Sequence, residues 1–300
     1  MNTSLIVKRA WEKGTVIPGF NIPYIPMMEP VIKALKDSNS FGLVMVARLE
    51  WVKFESKSLE AISAEYQRHK DENHTRLHLD HMPVIDEDNI RVDYEGDISR
   101  ALDNGYESVM VDGSRLPLNE NITCTRKIVE LAQKYDVPVE AELGAVMGHE
   151  SGPMPSYDEL FESKKGFTSP DDAKRFVDES GTNWLSVAIG NVHGAISAAK
   201  KQEKKIEAKI DIEHLAEINK IAEVPLVLHG GTGIRKEFIL KGIKHGIAKI
   251  NVATAIRQPY ETTLSKGVEA AQEAVYLTML DLIKNQLLIE NSKNILFEGE

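Results

Sequence analysis

The run Arg76-Leu77-His78-Leu79-Asp80-His81 alternates apolar and polar residues as a short strand does, then ends on an acid beside an imidazole. At a strand end those two groups could supply a proton-transfer group and a metal ligand side by side. His193 and His229 also follow strand-like runs. Three imidazoles from three strands suit a catalytic zinc, which keeps one position open for substrate. The competing reading of each one alone is a hydrogen-bonded strand-end residue. Other strand ends carry Asp112, Glu140, Glu142 and Asn251. His78 shares strand parity with Asp80 and is expected to point into the fold, supporting a ligand rather than acting as one. His69, His74, His214 and His245 fall in helices or turns.

A second pattern follows His229. Gly230-Gly231-Thr232-Gly233 is a glycine-rich turn, and Asn251-Val252-Ala253-Thr254 ends the next strand. Glycines let backbone N–H groups approach an anion, and Thr and Asn add donors. The pair of segments suggests a phosphate cradle; the alternative is that the glycines only make tight turns.

These residues need a scaffold that gathers strand ends. Strand-like runs alternate with helical patterns: Val16 to Ile22, Leu43 to Ala47, Leu77 to His81, Ser108 to Asp112, Val137 to Leu143, Trp184 to Ile189, Pro225 to Leu228 and Ala248 to Val252. Strands alternating with helices predict a parallel sheet. Eight such units suit an α/β fold of the (β/α)8 TIM-barrel type, whose active groups sit at the carboxyl ends of the strands. An open doubly wound sheet is the alternative, weakened because no G-x-G-x-x-G follows the first strand. Ser169-Pro170-Asp171-Asp172 marks a helix start. The irregular stretch Met147 to Thr168 reads as a long functional loop, expected to be mobile and to close over substrate. A long amphipathic helical tail is expected from about Pro259 to Leu288. No linker or repeat divides the chain, so residues 1–300 read as a single domain.

The 300 residues are 42% apolar and 27% charged, ordinary for a soluble globular protein. A formal net charge of −10 argues against nucleic acid or an anionic membrane as the main partner. The single cysteine, Cys124, excludes an intrachain disulfide, fits a reducing compartment and reads as a packing residue. The amino terminus lacks a signal layout and no long apolar run occurs, so a cytoplasmic location is expected.

Several motifs in order resemble the class II, metal-dependent fructose-bisphosphate and tagatose-bisphosphate aldolases, over roughly residues 14 to 257. They are Gly19-Phe20-Asn21, Leu77-His78-Leu79-Asp80-His81, Val111-Asp112-Gly113-Ser114, Val139-Glu140-Ala141-Glu142-Leu143-Gly144, Val192-His193-Gly194, the His229 to Gly233 turn and Ile250-Asn251-Val252-Ala253-Thr254. The resemblance implies that His81, His193 and His229 hold the metal, usually zinc. It implies that Asp80 exchanges a proton with the C4 hydroxyl while the C3–C4 bond of a ketose phosphate breaks or forms. Glu150 would be the loop carboxylate acting at C3. Asp112 and Glu142 match positions that can form a second cation site, including one for a monovalent ion. Gly194, Gly230, Gly231, Thr232, Gly233, Asn251, Ala253 and Thr254 match the cradle for the phosphate of dihydroxyacetone phosphate. The expected partner is a phosphorylated sugar in carbohydrate metabolism such as glycolysis, and the expected assembly a homodimer or homotetramer.

The aldehyde end departs from the family. Ala47-Arg48-Leu49-Glu50-Trp51 replaces a serine-bearing run after strand two, Ser114-Arg115 replaces Ser-His, and the Asp-Pro-Arg that reaches the distal phosphate has no counterpart. Asn21 and Arg48 are the candidates for that end. Arg48 would bind a different acid group there, or it is simply salt-bridged. Two further functions compete with the aldolase: another metal-dependent barrel enzyme, such as an epimerase or hydrolase, and a non-catalytic phosphosugar-binding protein. Asp80 and Glu150 count against the last, because binding alone needs neither.

Overall fold

A computed structural model describes residues 1–144, 157–191, 208–231 and 233–299. Helix α1 (Thr3–Lys13) precedes strands β1 (Ile17–Asn21), β2 (Gly42–Ala47), β3 (Thr75–Pro83) and β4 (Ser108–Asp112). Strands β5 (Val139–Leu143), β6 (Trp184–Val187), β7 (Leu226–Leu228) and β8 (Ile247–Val252) follow. Neighbours pair in parallel in chain order and β8 returns to β1, which closes a (β/α)8 barrel as the alternation predicts. These strands are buried on both faces, which is why they read as nearly continuous apolar runs.

The intervening helices are α2 (Met28–Asp37), α3 (Arg48–Lys53), α4 (Leu59–His69), α5 (Tyr94–Asp103) and α6 (Leu118–Ala132). Then come α7 (Tyr157–Ser163), α8 (Pro170–Ser180), α9 (Ile212–Ala222) and α10 (Lys236–Lys244). Ser169 caps α8 through the Asp172 N–H with Pro170 in the first turn, as its sequence indicates. The stretch expected to be irregular from Met147 to Thr168 contains α7, so that expectation is corrected there.

The tail is helical as expected, in the segments α11 (Thr254–Thr263), α12 (Val268–Asp281) and α13 (Ser292–Leu296). Gly267, at φ +110°, breaks it where only glycine is comfortable. The chain then returns to the amino-terminal end of the barrel. There Leu296 joins Ile6, Val7 and Ala10 of α1 against Phe41 and Trp184. This helix was not foreseen, and it plugs the end opposite the site. No helix among the described residues is long and apolar enough to cross a membrane.

Candidate active site

Strand alternation should send Asp80 and His81 to opposite faces. The pairing of β3 with β4 slips between Leu79 and Met82, and His81 takes φ +33°. That bulge turns the second residue back to the mouth, so the two adjacent side chains share one site. His229 leaves the end of β7, and its ring lies 4.4 Å from that of His81, centroid to centroid. Ligand-capable atoms of Asp80, His81 and His229 all lie within 4.8 Å of one another.

Each imidazole is flanked by acids. His81 Nδ1 faces Asp112 Oδ2 at 3.4 Å and Glu142 Oε2 at 3.8 Å. His229 Nδ1 is 3.0 Å from Glu142 Oε2, and its Nε2 is 2.9 Å from Glu140 Oε1. Burial alone would lower the His81 pKa, but the Asp80, Asp112 and Glu142 carboxylates outweigh it and raise it to about 10. For His229, burial and the neighbouring His81 act downward, and the two glutamates still leave its pKa raised. Ser114 gives both its N–H (3.0 Å) and its hydroxyl (2.6 Å) to Asp112 Oδ1, fixing that carboxylate.

Asp80 is held at both oxygens. Asn21 Nδ2 donates to Oδ2 at 3.0 Å and Asn251 Nδ2 to Oδ1 at 2.8 Å. Burial opposes its ionisation, yet His81, Lys249 and His229 keep its pKa well below the usual carboxylate range. A base must be ionised before it can accept a proton, and these contacts preserve that state.

Beneath lies a network that sequence reasoning missed in part. Lys249 on β8, with no exposed surface, donates to Asn251 Oδ1 at 2.7 Å and pairs with Glu140 Oε2 at 2.8 Å. Trp184 Nε1 donates to the same Glu140 oxygen at 2.6 Å. A lysine among apolar strand residues, sharing parity with Asn251, was the available signal. His78 points inward as expected, its Nδ1 2.9 Å from Ser108 Oγ. Its Nε2 lies 3.5 Å from Glu140 without a hydrogen bond.

At β7 and β8, Gly233 takes φ +103°, and a Cβ on Gly231 would meet Ile250 at 2.9 Å. Backbone conformation at Gly233 and close packing at Gly231 therefore already favour glycine. Gly230, at φ +65°, completes the described part of the turn. Ala253 occupies the N-cap position of α11 and Thr254 opens the helix, with no side-chain cap on its first turn. The Asn251 amide is engaged with Asp80 and Lys249. Arg48 pairs with Asp86 at 3.3 Å, in line with its salt-bridge reading. Glu150, His193, Gly194 and Thr232 lie outside the described residues.

The donor chemistry fits a divalent metal. Two imidazoles and a carboxylate converge, and each ring is backed by further carboxylates. With an ion bound, each ring would lose the proton on its ligating nitrogen and could keep the other on a flanking carboxylate.

Fold and site together define a (β/α)8 barrel with a histidine–carboxylate centre at its mouth. The chain belongs to the fructose-bisphosphate aldolase class-II family, whose model matches residues 1–292. Its structure is similar to that of the YdjI aldolase from Escherichia coli, with a TM-score of 0.77, 25% identity, and 97% of this chain and 98% of that one covered. It is also similar to fructose-bisphosphate aldolase from Campylobacter jejuni, with a TM-score of 0.72 and 17% identity over 95% of this chain and 94% of that one. The second likeness shows the fold alone. Family membership and the likeness to the YdjI aldolase together support an aldolase of the metal-dependent class.

Proposed function

We propose that this protein reversibly cleaves the C3–C4 bond of a ketose phosphate, giving dihydroxyacetone phosphate and an aldehyde. The convergence of Asp80, His81 and His229 within 4.8 Å carries this reading. His81 and His229, with His193, would hold a divalent cation, zinc being the expected one. Such an ion would supply Lewis-acid stabilisation of the negative charge that develops on the substrate.

The residues of the chain do the rest. In the cleavage direction Asp80 takes the proton of the C4 hydroxyl, the C3–C4 electron pair passes to C3, and the aldehyde leaves. Glu150 is the group proposed to return a proton to C3. Asn21 and Asn251 fix both oxygens of Asp80, so its lone pair is aimed before substrate arrives. The glycine turn (Gly230, Gly231, Thr232, Gly233), Ala253 and Thr254 at the start of α11, Asn251 and Gly194 would receive the phosphate. Asp112 and Glu142 would steady the imidazoles or take a second, monovalent cation. A single domain working as a cytoplasmic homodimer or homotetramer is the proposed setting.

Assaying retro-aldol turnover on a panel of ketose mono- and bisphosphates, with zinc-loaded and chelated protein, tests the proposal. Cleavage that stops on chelation and returns with zinc is expected. Turnover that survives complete metal removal would contradict it.

A further inference from the structure

The two sides of the mouth are built differently. Over β7 and β8 the chain offers glycine backbone and the amino end of α11. Over β1 to β3 it offers carboxyl groups. Asn21, ending β1, gives one Nδ2 to both Asp80 Oδ2 (3.0 Å) and Glu50 Oε2 (3.4 Å). Glu50 sits in the first turn of α3, directly after β2, and is only 7% exposed. Its Oε2 also accepts the Ala47 N–H at 2.8 Å, while Oε1 has no hydrogen bond among the described residues. Burial pushes its carboxyl up to about 8, so near neutral pH the group can donate as well as accept.

Three cations on neighbouring elements are already paired. Arg48 and Lys53, at the two ends of α3, meet Asp86 at 3.3 Å and Glu87 at 2.7 Å. Arg257, in the first turn of α11, reaches both oxygens of Glu261 at 2.7 Å. With one phosphate over β7 and β8 and the C4 hydroxyl at Asp80 on β3, the rest of the ketose extends over β1 to β3. A second phosphate there would meet the ionised Asp80, with Arg48, Lys53 and Arg257 already engaged by acids. A hydroxyl would find in Glu50 both a donor and an acceptor.

We propose that the aldehyde half of the substrate is an uncharged, hydroxylated aldehyde, and that Glu50 determines this specificity by binding the hydroxyl next to the carbon served by Asp80. The inference rests on the aldolase reading above. Its test compares kcat/KM for cleavage of ketohexose 1-phosphates and the matching 1,6-bisphosphates, using zinc-loaded wild type, Glu50→Gln and Glu50→Ala. Wild type is expected to favour the monophosphates by about tenfold or more. Glu50→Ala is expected to lose about tenfold to hundredfold on the monophosphates, chiefly in KM, and much less on the bisphosphates. Glu50→Gln, which can still hydrogen-bond a hydroxyl, should recover most of that loss. A wild-type preference for bisphosphates overturns the inference. So does an equal loss on both substrate classes, which would make Glu50 only a support for Asn21. Exchange of the C3 proton of dihydroxyacetone phosphate with deuterated water, run on the same preparations, needs no aldehyde. Exchange accompanied by the wrong preference defeats the specificity inference alone, whereas neither exchange nor cleavage defeats the aldolase reading itself.

Discussion

Outside the barrel, strand residues such as Val44, Leu79 and Val109 face helices through an apolar layer that includes Ile98 and Phe176. Inside, the same strands turn His78, Asp80, Glu140, His229 and Lys249 toward one another with almost no exposed surface. In the outer layer each contact is non-directional, and a lost methyl is shared among many neighbours. In the inner layer each charge is balanced by a particular atom on another strand. One altered residue strands its partner. The chain thus carries its polar groups where only the correct closure of the barrel can satisfy them, and that closure also builds the site.

Breaking the inner network should therefore cost far more than thinning the outer layer. Lys249→Met leaves Glu140 buried without its ammonium partner, and urea unfolding should show a loss of up to about 5 kcal/mol. Adding Glu140→Gln to that variant should restore part of it; a purely additive second loss would mean the pair is not coupled. Asp80→Asn keeps the shape but removes the base, and retro-aldol kcat should fall about 10³-fold, or about 4 kcal/mol of barrier. Unchanged turnover in that variant would move the base elsewhere.

Glu50 sharpens the comparison through pH. Its folded-state pKa is raised from 4.5 to about 8, so the folded protein keeps a proton that the unfolded chain releases. That contribution is fully present below the unfolded value and is lost as pH rises through the folded one. Unfolding measured across pH 5 to 8 should show wild type losing about 3 kcal/mol relative to Glu50→Gln. Parallel pH profiles would mean that Glu50 is ionised throughout. In the outer layer, Ile98→Val should cost only about 1 kcal/mol with activity retained.

Much of this was legible from residue order. The bounds of β4 match the Ser108 to Asp112 reading, and the strand-end pattern of Asp80, His81, Asp112, Glu142 and His229 marks one face of the barrel. What escaped depends on contacts distant in sequence. Strand alternation alone cannot bring both Asp80 and His81 to the mouth; a bulge does. Lys249 interrupts an apolar strand, and its role depends on Glu140, far away in sequence. Glu50 belongs to a short helix, where strand parity gives no guide, and its importance comes from Asn21 and Asp80. Helix α1 has only a few apolar residues of its own, and they gain meaning from the open barrel end they fill.

Zinc titration of the metal-free protein, followed calorimetrically for wild type, His81→Ala and His229→Ala, tests the central claim most directly. Tight binding by wild type, weakened about hundredfold or more in each variant, is the predicted result. Undiminished affinity in both variants would contradict it, because the ion would then be held without the two imidazoles that the barrel brings together.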